Sequence, residues 1–266
     1  MWIKVNNGRV FAQTGGQEFN AGQPSVVMLH GAGMDHTIWQ QQSRYFAHHG
    51  WNVFAVDLPG HGMSMGLPLE SVGSAADWLI ALLDTIGLKR AALVGHSLGA
   101  LIALDVAGRY GHRVEKLALL GVTPKMPVHQ DLLEAAKANE PLASDFIVDW
   151  GFSKQAHLGG NIAPGLWMMG GGCRLLERAK PGVLGIDLAA ANAYEDGLAA
   201  GRLVRCPTLL LLGAADRMTP VKGAAALQEG IANCCTVVVP YVGHMMMIEA
   251  PRAIVRALTE FLGNQV

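Results

Sequence analysis

Short apolar, β-prone runs alternate with longer stretches of helical periodicity over most of the chain. Val26–Leu29, Val53–Val56, Ala91–Val94, Val114–Leu120, Thr208–Leu212 and Thr236–Val239 are apolar almost throughout, as strands covered on both faces should be. Between and after them, Thr37–His48, Val72–Ile86, Leu98–Arg109, Val221–Ile231 and Arg252–Leu262 place apolar residues at helical spacing. This alternation predicts an α/β chain with a mostly parallel, doubly wound sheet. Ahead of it, Trp2–Val5 and Arg9–Gln13 flank Asn6-Asn7-Gly8, a turn signal that predicts an opening antiparallel hairpin.

The rhythm stops between about Pro124 and Arg205. That interval has no convincing strand, but it has helical patterns at Gln130–Ala138, Ser144–Trp150, Cys173–Ala179 and Leu184–Ala200, punctuated by Pro141, Gly159-Gly160, Gly170-Gly171-Gly172 and Pro181-Gly182. A helical insertion between two core strands reads as a lid. Residues 1–123 and 206–266 are then the core and 124–205 the lid, and a chain of 266 residues suits one core with one insertion.

Hydrophobic residues make up 51% of the chain and charged residues 15%, against about 25% charged in an average domain, so much of it must be buried in its own core or against a partner. A homo-oligomer is compatible with that. The 20 basic and 21 acidic residues nearly cancel and form no phosphate-neutralising cluster, which argues against nucleic acid as a partner. Polar residues interrupt the first thirty positions and no apolar stretch is long enough to span a bilayer, so a cytoplasmic protein with no membrane partner is expected. Cys173, Cys206, Cys234 and Cys235 show neither a disulfide framework nor metal-ligand spacing and read as reduced packing residues.

Two stretches match Gly-x-Ser-x-Gly: Gly62-Met63-Ser64-Met65-Gly66 and Gly95-His96-Ser97-Leu98-Gly99. Context separates them. The chemistry needs a sharp turn from a buried strand into a helix, which lifts the serine oxygen above the sheet edge. Ser97 has the strand Ala91–Val94 before it and a helix start after it, whereas Ser64 follows a loop sequence and precedes Leu67-Pro68, a poor helix start. A serine hydroxyl also needs a base, and the base needs a group that fixes its tautomer. In this kind of fold the order is serine, acid, histidine. Asp216 lies just past the buried run Leu209–Leu212, and His244 lies in a loop after Thr236–Val239; both fall at the strand ends where Ser97 emerges. The plainer reading of Asp216 is a helix or turn cap before Thr219-Pro220. The other nine histidines fit worse, with His30, His61 and His96 beside motif glycines and suited to organising loops. The glycine turn His30-Gly31-Ala32-Gly33 offers backbone N–H groups, so Ala32 and Leu98 are the expected oxyanion-hole donors. A dinucleotide-binding reading of the same turn fails because His36 stands where the third glycine should be.

His30-Gly31, Asp57-Leu58-Pro59-Gly60-His61-Gly62-x-Ser64, Gly95-His96-Ser97-Leu98-Gly99, Gly213-x-x-Asp216-x-x-Thr219-Pro220 and Gly243-His244 together resemble the α/β-hydrolase superfamily, in particular its lidded esterases, enol-lactonases and cofactor-free haloperoxidases. The resemblance covers nearly the whole chain, the lid least. It implies a serine hydrolase with no metal or organic cofactor, and a structural role for Asp57 at the end of its strand. Serine at 97 departs from epoxide hydrolases and haloalkane dehalogenases, whose nucleophile here is an aspartate. His96 and Met245 depart from the asparagine and tryptophan that carbon–carbon bond hydrolases of the superfamily tend to carry at those places.

The leading expectation is hydrolysis of a carboxylic ester or lactone with an apolar acyl part through an acyl-enzyme. Perhydrolysis and carbon–carbon bond cleavage on the same triad are the alternatives within catalysis, and a non-catalytic ligand receptor on the same fold is the alternative outside it. Trp150, Phe152, Trp167, Met168 and Met169 crowd aromatic and methionine side chains into the insertion and are the expected pocket lining, with packing of the lid on the core as the plainer account.

Overall fold

A computed structural model describes residues 1–6, 8–160 and 167–263. Its eight strands are β1 (Trp2–Val5), β2 (Gly8–Gln13), β3 (Ser25–Leu29), β4 (Asn52–Val56), β5 (Ala91–His96), β6 (Val114–Leu120), β7 (Thr208–Gly213) and β8 (Cys234–Val239). They form one sheet in the order β1-β2-β4-β3-β5-β6-β7-β8. The pairs β1–β2 and β2–β4 are antiparallel and all the others parallel, so the doubly wound sheet and its opening hairpin are both present. Of the hairpin's turn residues, Asn6 takes a left-handed φ of 52°, and Asn7 lies outside the described residues.

The central strands β3, β4 and β5 are buried at every position because helices cover both faces. At the edge, β8 leaves Val238 44% exposed, and Cys235, expected to pack, is exposed there too. After β3 the chain moves to β4 on one side, then returns to β5 on the other. This reversal opens a crevice at the carboxyl ends of β3 and β5, where ligands of such sheets bind. No helix among the described residues is long and apolar enough to cross a membrane.

Between β6 and β7 the described residues contain helices at Gln130–Lys137, Leu142–Gly151, Lys154–His157, Met168–Glu177, Val183–Ala193 and Gly197–Leu203. Two expectations are corrected here. The pattern Leu184–Ala200 is two helices, because Tyr194 turns extended and donates its hydroxyl to the buried Asp105 Oδ1 at 2.9 Å. The second of the two, Gly197–Leu203, packs on the core helix Leu98–Arg109, where Gly108 lets Ala200 approach so closely that an added Cβ would lie 2.9 Å from its Cα. The glycine triplet 170–172 does not punctuate a helix but lies inside one. Its missing side chains admit the rings of Trp167, over Gly170, and Phe152, 2.7 Å from where a Gly172 Cβ would stand.

Candidate active site

The turn from β5 into the helix Leu98–Arg109 holds Ser97 at φ 55°, ψ −119°, a conformation that costs a non-glycine residue strain energy. Its neighbours must be glycine. A Cβ on Gly95 would collide with the carbonyl of Gly99, and one on Gly99 would lie 2.5 Å from the carbonyls of Leu29 and His30. The helix starts directly after Ser97, so its positive end and the free N–H of Leu98 face the same place.

The loop after β7 brings Asp216 to the same edge. Its two oxygens divide the work: Oδ1 accepts from the N–H groups of Met218 and Thr219, both at 2.8 Å, and Oδ2 faces His244 Nδ1 at 2.8 Å. The hydroxyl of Thr219 also donates to Oδ2 at 2.7 Å. Burial pushes the Asp216 carboxyl up, but the pull of His244 and these hydrogen bonds outweighs it and holds the group below the usual carboxylate range. Asp216 therefore caps its turn and hydrogen-bonds a histidine at once, so the two readings of it do not exclude each other.

His244 is buried, and with Nδ1 held by Asp216 its Nε2 has no hydrogen-bond partner among the described residues. Its loop is fastened from three sides. His244 N–H donates to Gly151 O at 2.7 Å, Gly243 N–H donates to Glu249 Oε1 at 3.0 Å, and His96 Nε2 donates to His244 O at 3.0 Å. Against the ring lies Gly121, at φ 57° just past β6, where an added Cβ would sit 2.9 Å from Nδ1. Gly121 was invisible to motif reasoning, as was Thr219's hydroxyl contact with the pair.

Ser97, His244, Ala32, Leu98 and Trp150 line one cavity of about 320 Å³, at the small end of ligand sites. Met126, Val128, Leu132, Leu188 and Met218 make most of the rest apolar, with His129, Arg217 and Thr219 as polar lining groups. Neither Ala32 N–H nor Leu98 N–H donates to a protein acceptor among the described residues. The expected lid lining is corrected for four of its five residues. Phe152 is buried within the insertion against Gly172, Trp167 is 72% exposed, and Met168 and Met169 pack partly buried away from the cavity. A tryptophan or methionine in a helix faces whatever the helix packs on, and composition does not carry that direction.

Ser64 and Asp57 sit elsewhere. Ser64 Oγ donates to Asp57 O at 2.7 Å and accepts from Phe11 N–H at 2.9 Å, tying β2 to the loop after β4. Asp35, His36 and Asp57 bring three potential metal-ligand atoms within 4.8 Å of one another, but Asp57 already accepts from His36 N–H and Met63 N–H, and Asp35 from Thr37 N–H.

The sequence profile of the Alpha/beta hydrolase family matches residues 26–257. A pimeloyl-[acyl-carrier protein] methyl ester esterase of Chromobacterium violaceum is 31% identical over 267 residues, covering 96% of this chain and 99% of that protein. An (E)-2-((N-methylformamido)methylene)succinate hydrolase of Acinetobacter baylyi is 25% identical over 251 residues, covering 92% of each. In fold, the chain is similar to the enol-lactonase of Burkholderia xenovorans, with a TM-score of 0.88 at 19% identity over 98% of this chain and 99% of the other.

Proposed function

The chain belongs to the alpha/beta hydrolase family, and on that premise we propose that it cleaves a carboxylic ester or lactone with an apolar acyl part through an acyl-enzyme on Ser97. One observation carries the reading. A serine held on a strained turn shares its cavity with a histidine that has one nitrogen fixed by a buried carboxylate and the other unpartnered.

In this mechanism His244 Nε2 takes the Ser97 hydroxyl proton as Oγ attacks the substrate carbonyl carbon. The carbonyl oxygen becomes an oxyanion held by the N–H groups of Ala32 and Leu98, at the positive end of the helix Leu98–Arg109. Collapse breaks the bond to the alcohol oxygen, which leaves with the proton from His244. Water then attacks the acyl-enzyme by the same route and frees the acid. Asp216 holds the imidazole in the tautomer that leaves Nε2 able to accept. The apolar cavity wall, with Trp150, Leu132 and Met218, supports an apolar acyl group.

A fluorophosphonate that reacts with activated serines, followed by peptide mapping and an ester and lactone panel, tests the proposal. Labelling confined to Ser97 with turnover of short acyl esters is expected. No labelling and no turnover would turn the reading toward a non-catalytic ligand receptor.

A further inference from the structure

The insertion reaches the catalytic edge at one more place. Along the helix Val183–Ala193, Leu184, Asp187 and Leu188 share a face, being three and four residues apart. Leu188 lines the cavity, and Leu184 packs on Gly33, where an added Cβ would lie 2.8 Å from its Cδ1. Between them, Asp187 Oδ2 accepts from Gly33 N–H at 2.8 Å and from His61 Nε2 at 2.7 Å.

His61 Nδ1 faces a second acceptor, Pro59 O, at 3.0 Å, so the surroundings of the buried ring suit an imidazolium that donates from both nitrogens. Burial opposes that charge, yet the Asp187 carboxylate holds the group above its ordinary value. A buried ion pair is a poor source of net stability, because desolvating two charges consumes most of the attraction. What this pair has beyond stability is its third partner, the backbone of the loop that carries Ala32.

The two peptide groups flanking Ala32 are each clamped. Gly31 O accepts from His30 Nδ1 at 2.8 Å and from Met34 N–H at 3.2 Å, which fixes the peptide whose N–H belongs to Ala32. Gly33 N–H, on the next peptide, is fixed among the described residues by Asp187 alone. We propose that Asp187 is a positioning residue that reaches from the insertion to hold the Ala32 loop in the geometry the oxyanion requires. Seating the helix Val183–Ala193 and completing the oxyanion hole are then one event. The inference rests on the serine-hydrolase reading.

The test compares Asp187→Ala, Asp187→Asn and Asp105→Ala in steady-state hydrolysis of an activated aryl ester, with fluorophosphonate labelling of every protein. A misaimed oxyanion donor costs up to about 100-fold, so Asp187→Ala should lower kcat by roughly 10- to 100-fold and change KM by less than about threefold. Asp187→Asn keeps an oxygen for Gly33 N–H and should return kcat to within about fivefold of the parent. Asp105 is also buried and also joins the insertion to the core, through Tyr194, but lies away from the loop. Asp105→Ala should lower the melting temperature and leave kcat unchanged below it.

If Asp187→Ala does not fold, the double variant Asp187→Leu, His61→Leu removes both charges together and is expected to fold with the same loss of kcat. An unchanged kcat in the folded variant, a rise in KM alone, or an equal kcat loss in Asp105→Ala would overturn the assignment. Failure of the parent protein to label at Ser97 would instead overturn the serine-hydrolase reading, so the two failures are distinct.

Discussion

The proposed catalytic edge and the loop Asp57–Gly66, taken with Asp187 of the insertion that reaches it, bring together the same chemical parts. Each has a Gly-x-Ser-x-Gly stretch, a buried histidine and a buried aspartate at hydrogen-bond distance, Asp216 at 2.8 Å from His244 and Asp187 at 2.7 Å from His61. They differ in what is left unengaged. Ser64 Oγ both donates and accepts, and His61 uses both nitrogens. At the other place Ser97 lines the cavity, and His244, which lines it too, keeps Nε2 unpartnered among the described residues. The proposed site thus differs from the loop in the group it keeps free to face its cavity, because a fully satisfied network has nothing left to offer a substrate.

The sharpest attempt to break this contrast is to remove each serine. Ser97→Ala should lower kcat by about 10⁴- to 10⁶-fold, while Ser64→Ala should leave most of the activity and cost stability, having lost the tie between β2 and the loop. Steady-state hydrolysis of an aryl ester beside thermal melts would check both, and similar losses of activity would abolish the distinction. Next in size, Asp216→Asn should lower kcat by about 10⁴-fold at neutral pH by favouring the wrong imidazole tautomer. It should cost far more activity than Asp187→Asn does.

The contrast extends into the insertion. Phe152→Ala should destabilise by about 3–5 kcal/mol in urea unfolding, since that ring is buried against Gly172 and Val148, and should leave the preference among acyl lengths alone. Trp150→Ala, on the cavity wall, should shift kcat/KM between short and longer acyl esters by about 1–3 kcal/mol. A reversed pattern would put the specificity element at Phe152.

The smallest effect concerns pH. His61 is held above its ordinary value of 6.5, so the stability it contributes is complete below pH 6.5 and is lost as pH rises through its folded value. His30 is depressed to about 4, chiefly by burial, so the unfolded chain gains a proton there that the folded chain refuses, and stability falls as pH drops from 6.5 toward 4. Each limb has a slope of at most about 1.4 kcal/mol per pH unit. Urea unfolding across pH should lose the alkaline limb in His61→Gln and keep a shortened acid limb, because burial, the larger cause of the His30 depression, remains when the His61 charge is gone. Loss of the acid limb instead would reverse the assignment of charge.

Ser97, Asp216 and His244 could be nominated from sequence because each follows an apolar strand, buried throughout for Ser97 and Asp216 and at the sheet edge for His244, and strand ends in a parallel sheet converge. The cavity wall could not. Met126 and Val128 stand in a loop with no periodicity to read, and the aromatic residues of the insertion face where helix packing turns them. Asp187 is hardest of all. It lies 126 residues from His61 and 154 from Gly33, and in sequence it is the one acid on a mostly apolar helix. The break at Tyr194 is hidden for the same reason, since its cause is Asp105, far back in the chain.

Glu249 joins the histidine loop to the insertion by accepting from Gly243 N–H with one oxygen and Ser153 N–H with the other, both at 3.0 Å. Gly151 O takes the N–H groups of His244 and Met245 on the same seam. The insertion is therefore not an interchangeable cassette bounded by the ends of β6 and β7. A chimera that grafts a relative's insertion at those ends would leave His244, the proposed base, attached to a foreign backbone. A workable graft must transplant residues 151–153 and 243–249 together, as one inherited block.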